Sequence, residues 1–267
     1  MYKSTITENA YMGQDRLLHC KSCGGARQRK LVVPLKGERI VGIMCDCEIA
    51  EKEREDQQQK ENENDIRRKI CFAESNMYNW TFQNSDGSNP KMEEVMQNYV
   101  NHFTTFRKEG KGLLLWGTVG TGKTYMAACI ANALIDKEYK VLMTNFASLT
   151  NKIQGMWEGK QDFINSLNHY ALLIIDDLGA ERKSEFMQEM VFNIIDSRYR
   201  SGLPMIITTN LSIEEIKKPK DISNSRIYDR ILERCHPIEI SGSSKRRKKI
   251  IDSWAETQEL LGIKKGD

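Results

Sequence analysis

The sequence predicts an α/β fold: a parallel sheet flanked by helices, preceded by a small cysteine-containing module and a charged helix. Three observations support this prediction. Short apolar segments alternate with helical patterns between residues 112 and 240, as a parallel sheet with helical crossovers requires. One of these segments runs directly into a glycine-rich loop, residues 117–124. Four cysteines fall within residues 20–47, a span too short to build a stable core without a further constraint.

The composition indicates a globular protein without a membrane span. The chain has 267 residues, with 40 Lys and Arg against 37 Asp and Glu, and a formal net charge of +3. No run of about 18 apolar residues is present, which argues against a transmembrane helix. Residues 1–16 are polar and lack the apolar centre of a secretory signal. We therefore expect a cytoplasmic protein, in which disulfides are rare.

The clustered cysteines form two closely spaced pairs, Cys20 with Cys23 and Cys45 with Cys47. In a reducing compartment this spacing favours a tetrahedral zinc site over disulfides. Residues 31–33 and 39–43 predict a β-hairpin between the pairs, and hence a zinc ribbon in a module of residues 1–47. Unligated cysteines or a redox pair are the alternatives. Four thiolates leave no open position on a metal, so we expect the module to dock a partner rather than to catalyse a reaction.

Residues 48–71 are dominated by charged and amide side chains, and acids precede bases by four positions, as at Glu63 and Arg67. This order stabilises a solvent-exposed helix, and the few apolar residues give it little to bury. We interpret the segment as a linker helix, with a disordered tether as the alternative. Apolar residues recur at helical spacing between 92 and 106, which predicts one amphipathic helix near the start of a third part, residues 72–267.

The glycine-rich loop matches G-x-x-x-x-G-K-[ST], the pattern of a phosphate-binding loop, and lies between a predicted strand, residues 112–116, and a predicted helix. In such a loop, backbone N–H groups surround phosphate oxygens at the positive end of the helix. We predict that Lys123 contacts the β- and γ-phosphates of ATP and that the Thr124 hydroxyl ligates Mg²⁺. The residues assigned to nucleotide binding are Gly117, Thr118, Gly120, Thr121, Gly122, Lys123 and Thr124.

Two further apolar strands end in polar residues that suit nucleotide hydrolysis. Residues 170–177 end in Asp176 and Asp177, and residues 205–210 end in Asn210. We predict that Asp176 holds Mg²⁺ through water, that Asp177 orients or polarises the attacking water, and that Asn210 senses the γ-phosphate. Taken alone, an Asn at a strand end is more often a turn residue. The remaining strands of the predicted sheet are residues 140–145 and 236–240.

Arg226, Arg230 and Arg234 are spaced by four positions and would lie on one face of a helix. They could form a solvated stripe, or reach a phosphate in a neighbouring subunit and stabilise the charge that develops in phosphoryl transfer. A basic cluster, residues 244–249, opens the last predicted helix. It could bind nucleic acid, ATP or only water.

Together these motifs resemble the AAA+ ATPases of the DnaC/DnaI helicase-loader group, and most of all the DnaC-like replication proteins of Gram-positive bacteria and their phages. The resemblance covers roughly residues 72–255. It is carried by the phosphate-binding loop and by three further segments, residues 172–179 (LLIIDDLG), 206–210 (IITTN) and 225–231 (SRIYDRI).

The resemblance implies roles for individual residues. The Walker and sensor positions are Lys123 and Thr124 in Walker A, Asp176 and Asp177 in Walker B, and Asn210 at sensor 1. Arg230 matches the arginine-finger position. Arg246 matches the sensor 2 arginine, with the neighbouring Arg247 as the other possible register. Asp177 stands where many AAA+ proteins carry Glu, and its shorter side chain is consistent with slow hydrolysis.

The resemblance implies an ATP-dependent loader that places a DnaB-type replicative helicase on single-stranded DNA. ATP, Mg²⁺ and Zn²⁺ would be its cofactors, and ATP-bound subunits would assemble head to tail. The zinc module and charged helix would grip the helicase. Lys152, Trp157 and Lys160 lie in a region where DNA contacts are expected, although Trp157 could equally be a core residue.

Two other functions are compatible with the same motifs. One is a transposition helper ATPase of the IstB type, which would act on a transposase and duplex DNA. Relatives of that type typically lack a four-cysteine module, so the cysteine cluster favours the loader. The other is a nucleotide-switched adaptor with little turnover.

Overall fold

The computed structural model describes residues 9–34, 37–73, 75–180, 184–219 and 221–261, with the backbone alone for residues 247–249, 251, 252, 255, 256 and 259. The chain divides into two compact units, residues 1–63 and 64–267. Within the described ranges, no helix has the length and apolar character needed to cross a membrane.

The N-terminal unit contains two small antiparallel sheets. Their strands are β1 (Ala10–Met12) with β2 (Leu18–Cys20), and β3 (Gln28–Val33) with β4 (Gly37–Gly42). The second pair is the hairpin predicted between the two cysteine pairs, but both strands begin earlier than the apolar residues do. Arg29 and Lys30 join the ladder because both faces of this hairpin are largely exposed, so charged side chains do not interrupt the backbone pairing.

One long helix, α1 (Asp46–Phe72), contains the whole segment predicted as a linker. Amide side chains bond to side chains one turn further on, as from Gln57 to Glu61 at 2.7 Å. Its buried residues are all in its last third: Asn64, Cys71 and Phe72. The boundary between the two units falls inside this helix, and the division of the chain into three parts stays a prediction.

The second unit is built on a five-stranded parallel sheet, which confirms the predicted α/β class. The strand order is β6-β7-β8-β5-β9. Each strand lies within two residues of its predicted position at either end. The strands are β5 (Gly112–Trp116), β6 (Val141–Asn145), β7 (Leu172–Leu178), β8 (Met205–Thr209) and β9 (Cys235–Glu239).

Helices cover both faces of this sheet, because successive residues of a strand point to opposite sides. In β5, Leu113 and Leu115 pack into one apolar cluster and Leu114 into the other. The first cluster includes residues of α2 (Pro90–Asn101), α3 (Phe103–Glu109) and α4 (Lys123–Asp136). The second includes residues of α5 (Phe146–Gln154), α6 (Lys160–Ser166), α7 (Glu185–Ser201), α8 (Ile213–Lys217) and α9 (Ile222–Arg234). The last helix is α10 (Lys245–Leu260).

The single helix predicted over residues 92–106 is wrong, because the chain forms α2 and α3 with a break at His102. The backbone of His102 leaves helical geometry at φ −102° and ψ 15°. The break turns Phe103 into the core, where its ring meets those of Tyr99 and Tyr139 edge-on at 5.9 and 4.8 Å. The apolar periodicity continues across the break, which is why the sequence pattern does not reveal it.

Trp157 lies in the segment between α5 and α6 and is 97% exposed, so it is not a core residue.

The guanidinium of Arg198 is fully buried and is stabilised by hydrogen bonds to backbone carbonyl groups. It donates to the carbonyl oxygens of Pro204, Leu167, Tyr170 and Ala171 at 2.7–3.3 Å. Burial lowers its pKa to about 10, and the backbone acceptors satisfy the charge in place of a carboxylate.

Candidate nucleotide site and cysteine cluster

The motifs predicted to bind and hydrolyse a nucleotide meet at one edge of the parallel sheet. The phosphate-binding loop follows β5, Asp176 and Asp177 lie in the last three residues of β7, and Asn210 follows β8, which lies between those two strands. Because the carboxyl ends of parallel strands share an edge, residues up to 93 positions apart in the sequence become neighbours there. Ligands of open α/β sheets bind in this position.

Glycine conformations and close packing determine the shape of the phosphate-binding loop. Gly122 precedes the first residue of α4 and has φ +103°, a conformation that L side chains rarely adopt. Gly120 has φ +87°, and a Cβ there would overlap the hydroxyl group of Ser244. Within the loop, the Thr121 hydroxyl donates a hydrogen bond to the carbonyl of Thr118 at 3.0 Å. The N-terminus of α4 therefore faces the space that the loop encloses.

The Lys123 ammonium group lies at the centre of the site. It donates to the carbonyls of Gly117 and Thr118 at 2.9 and 2.8 Å and to Asn210 Oδ1 at 2.8 Å. The side chain is almost fully buried. Burial lowers the pKa of Lys123, while the charges of Asp177 and Asp176 oppose that shift. This is a desolvated cation that can interact strongly with an anion entering the loop.

The two acidic residues have different environments. Burial is the main cause that raises the pKa of Asp176, and hydrogen bonds from the Thr208 and Thr124 hydroxyls act against it. Asp177 lies closer to solvent, and its Oδ1 is 3.5 Å from the Nδ2 donor of Asn210. The pairing of β7 with β8 shifts register between Ile175 and Leu178, and Asp177 adopts φ +57° in this bulge. The bulge separates the directions of the two consecutive carboxylates.

The pocket is also lined by Trp80, Asp86 and Tyr125, which sequence reasoning did not assign, and by Lys245 of the basic cluster. The rings of Trp80 and Tyr125 lie 5.6 Å apart, and the Tyr125 hydroxyl donates to the carbonyl of Thr81 at 2.9 Å. Lys245 Nζ pairs with Asp86 Oδ1 at 2.9 Å across 159 positions of sequence. Hydrogen bonds from Ser88 and the Lys245 charge lower the pKa of Asp86. The contact between Asp86 and Lys245 is long-range and has no local signal in the sequence.

The predicted arginines are divided between two places. Arg246 lines the same pocket as Lys123, Thr124 and Asn210, whereas the side chain of Arg247 is outside the described part of the chain. The exposed side chain of Arg226 lies one turn before Arg230 on α9.

Arg230 contacts α7 of its own chain. Its Nε donates to Asp196 Oδ1 at 2.8 Å, and its guanidinium lies over the Phe192 ring at 4.8 Å. Asp196 also pairs with Arg200 Nε at 2.8 Å. Arg230 is thus not part of the nucleotide pocket of its own chain, and about a quarter of its side chain is exposed.

The four predicted zinc ligands meet in the N-terminal unit. The sulfur atoms of Cys20, Cys23, Cys45 and Cys47 all lie within 4.8 Å of one another. Tetrahedral zinc with bonds of about 2.3 Å holds its sulfurs roughly 3.8 Å apart, so the cluster fits the ion.

Backbone hydrogen bonds favour the thiolate form of Cys20 and Cys23, whereas hydrogen bonds with the neighbouring cysteines raise the pKa of Cys47. Backbone N–H groups of Cys23 and Ser22 are the main causes that lower the pKa of Cys20, to about 6. The ring of His19 is engaged elsewhere, with Asp15 at 3.0 Å and the carbonyl of Gly24 at 3.2 Å. The cluster therefore has four sulfur donors and no histidine ligand among the residues near it that the structure describes.

Comparison with known protein families identifies the family of the chain. The family model described as IstB-like ATP binding protein matches residues 38–253, which is more than half of the chain. The chain belongs to the IstB-like ATP-binding protein family. The pocket of this IstB-like chain fits a nucleotide with Mg²⁺, because the buried Lys123 ammonium lies at the loop and the Thr124 hydroxyl hydrogen-bonds to the Asp176 carboxylate.

Known relatives of this IstB-like protein are of two kinds. It is 26% identical to the replicative helicase loader DnaI of Bacillus subtilis (strain 168) over 67% of this chain and 62% of that protein. It is 29% identical to the replicative helicase loader DnaC of Escherichia coli (strain K12), over 43% of this chain and 47% of that protein. It is 30% identical to a putative insertion sequence ATP-binding protein of Sinorhizobium fredii, over 54% of this chain and 50% of that protein. The chain therefore spans between about half and three fifths of these relatives.

Solved structures agree with the fold. The crystal structure of DnaI has a TM-score of 0.51 and 26% identity, covering 63% of this chain and 92% of that one. The crystal structure of the DnaC helicase loader has a TM-score of 0.50 and 24% identity, covering 62% and 100%. The predicted α/β architecture of this IstB-like protein is thus shared with these loaders.

Proposed function

We propose that this IstB-like protein hydrolyses ATP and uses ATP to load a DnaB-type replicative helicase onto single-stranded DNA. The observation that carries the ATPase proposal is the convergence of Lys123, the acidic pair and Asn210 on one phosphate-binding loop. The loader proposal rests on this site, on similarity to DnaI and DnaC, and on the four-cysteine cluster.

Each residue of the site has a proposed part in hydrolysis. The loop amides and Lys123 bind the β- and γ-phosphates and neutralise their charge. Asp177, which the bulge directs towards Asn210, orients the attacking water, and Asn210 bridges that water and the γ-phosphate. Thr124 and Asp176 would hold Mg²⁺, which supplies further neutralisation of phosphate charge when bound. Arg246 reaches the phosphates from the first turn of α10.

The N-terminal unit is proposed to hold zinc and to dock the helicase. Four thiolates around zinc would stabilise a unit whose two sheets have only two strands each. The β3–β4 hairpin exposes apolar side chains, including Val32 at 76% and Ile40 at 55%. Exposed apolar residues on a small rigid hairpin are suited to contact a protein partner.

Single-stranded DNA is proposed to contact the segment between α5 and α6. Trp157 is nearly fully exposed there, and Lys160 is exposed three residues later. An exposed aromatic ring with a nearby cation suits stacking on a base and pairing with the backbone phosphate. Lys152, by contrast, holds its ammonium 5.0 Å from the centre of the Phe163 ring.

A loading assay tests this function. The full chain is mixed with a DnaB-type helicase, ATP and circular single-stranded DNA, and the helicase that stays on the DNA is measured. We expect ATP-dependent transfer, and a roughly tenfold loss of DNA affinity for Trp157→Ala because a stacking base contributes about 1–3 kcal/mol. Trp254→Ala removes another exposed tryptophan, 66% exposed, and is the matched control. Failure to bind any DnaB-type helicase, with ATP hydrolysis intact, would contradict the loader.

Arg230 is proposed to complete the nucleotide site of a neighbouring subunit in a head-to-tail assembly. In Arg230→Ala we expect ATP binding to persist and hydrolysis to fall at least about 100-fold, since an arginine supplied in trans contributes on the order of 10³–10⁵ in related reactions. Arg200→Ala removes the other partner of Asp196 and should keep activity. Equal losses in both variants would instead assign Arg230 a structural role in packing α9 against α7.

A transposition helper is the second candidate, favoured by the name of the matching family and by the insertion sequence relative. Such a protein would bind duplex DNA and a transposase in place of a helicase. The two candidates are separated when duplex DNA replaces the single-stranded circle in the same assay, because a transposition helper should bind the duplex and a loader the single strand. A nucleotide-switched adaptor would bind ATP and a partner but show no turnover in a single-turnover measurement.

A further inference from the structure

A buried threonine beside the acidic pair has no assigned role. Thr208 lies in β8, the strand next to β7, and its side chain is fully buried. Its hydroxyl donates to Asp176 Oδ1 at 2.5 Å and accepts the backbone N–H of Asp177 at 2.9 Å. One hydroxyl group therefore contacts both consecutive acidic residues.

The hydrogen bond from the Asp177 N–H to the Thr208 hydroxyl stabilises an unusual backbone conformation at Asp177. Asp177 has φ +57°, which costs energy for any residue with a side chain, and it lies where the β7–β8 ladder changes register. Within such a bulge the extra residue is left without a ladder partner. The Thr208 oxygen gives the Asp177 amide that partner and so fixes the conformation that directs its carboxylate towards Asn210.

The hydrogen bond from Thr208 to Asp176 follows from the one that Thr208 accepts from the Asp177 amide. A hydroxyl has a single proton, and the Asp177 amide already occupies one of its oxygen lone pairs. The proton is then free to point at Asp176, which holds one carboxylate oxygen in a fixed direction. Only a side chain that both accepts and donates at the same atom can make this pair of contacts, and valine, which has the same shape, can do neither.

We propose that Thr208 is a positioning residue for nucleotide hydrolysis, whose hydroxyl sets the orientation of the Asp176 carboxylate and the backbone conformation of Asp177. This inference rests on the proposed ATPase function, since it assigns Asp176 to Mg²⁺ and Asp177 to the attacking water. Groups that orient metal ligands typically contribute about 10–100-fold to metal affinity or activity.

The neighbouring residue offers a matched control. Thr209 is also fully buried, and its hydroxyl donates to the Leu178 carbonyl at 2.7 Å and accepts the Leu211 N–H at 3.1 Å. It therefore makes the same number of hydrogen bonds at the end of the same strand, but to backbone groups alone. Thr209→Val removes a buried hydroxyl without touching either carboxylate.

The experiment compares Thr208→Val, Thr208→Ser and Thr209→Val as full-length proteins. Binding of a fluorescent ATP analogue is measured in EDTA and across a Mg²⁺ titration, and kcat and KM are measured at saturating Mg²⁺. For Thr208→Val we expect unchanged affinity in EDTA, an apparent Mg²⁺ affinity lowered by about 10–100-fold, and a fall in kcat of similar size. Thr208→Ser keeps the hydroxyl and should restore both, and Thr209→Val should resemble the unmodified protein.

Each outcome decides one question. Unchanged Mg²⁺ affinity and kcat in Thr208→Val, or an equal loss in Thr209→Val, would overturn the positioning role. Absence of Mg²⁺-dependent nucleotide binding in the unmodified protein would overturn the ATPase proposal itself. If circular dichroism shows that Thr208→Val is unfolded, Thr208→Cys replaces it, because a thiol is a weak donor of nearly the size of the serine side chain. Thr208→Cys and Thr208→Ser are then compared under conditions in which both variants are folded.

Discussion

Replacing Lys123 by alanine is expected to abolish ATP hydrolysis, with a loss of at least about 100-fold, and to weaken ATP binding. The reason is the position of the ammonium group, which is buried between the loop carbonyls and Asn210. A cation in such a desolvated place contributes far more to phosphate binding than one at the surface. Phosphate release and binding of a fluorescent nucleotide measure the two effects separately.

The fold should survive this substitution. Burial lowers the pKa of Lys123, so the charged form is held at a cost that alanine removes. Lys137→Ala is the control, because Lys137 follows the last residue of the same helix and its ammonium contacts Asn101 at 3.2 Å, away from the pocket. Undiminished hydrolysis by a folded Lys123→Ala protein would refute the proposed site.

Removing the zinc that the cysteine cluster is proposed to hold is expected to unfold the N-terminal unit while the second unit stays folded. Two-stranded sheets have little stability alone, and a structural zinc ion supplies about 10–16 kcal/mol of binding energy in small domains. In Cys45→Ser, which replaces a buried cysteine of the proposed zinc site, we expect less than stoichiometric zinc and rapid proteolysis before residue 46. Metal analysis and limited proteolysis measure these effects.

The matched control for zinc is Cys129→Ala, which removes a buried thiol from α4 in the other unit and should keep full zinc. ATP hydrolysis of Cys45→Ser without helicase should equal that of the unmodified protein, whereas helicase binding should be lost. Stoichiometric zinc in Cys45→Ser, or a protein prepared with ample zinc that contains none, would exclude the proposed metal site.

The sheet and the site could be predicted because their determinants are local in the sequence. Each buried strand is a short apolar segment, and the residues that follow it are the ones that its carboxyl end presents. This reasoning brought Asn210 and Lys123 together although 87 positions separate them, and the structure gives 2.8 Å between their side chains. The hairpin of the N-terminal unit was found in the same way, from two apolar segments.

The features that could not be predicted depend on contacts between distant elements. The break at His102 follows from the burial of Phe103 against Tyr139, which no helical periodicity encodes. The packing of Arg230 against α7 depends on which face of α9 meets that helix. The hydroxyl of Thr208 is a further case, because a threonine in a buried strand is usual and only the bulge at Asp177 gives it distinct partners.

The contact between Gly120 and the start of α10 limits how the nucleotide site can change shape. The Lys245 N–H donates to the Gly120 carbonyl at 3.0 Å, and the loop has no room for even a methyl group beside Ser244. Displacement of the phosphate-binding loop alone would break this hydrogen bond, so we expect the first turn of α10 to move with the loop. We therefore expect occupancy of the loop to affect the orientation of α10, a helix that exposes Trp254 and Leu260.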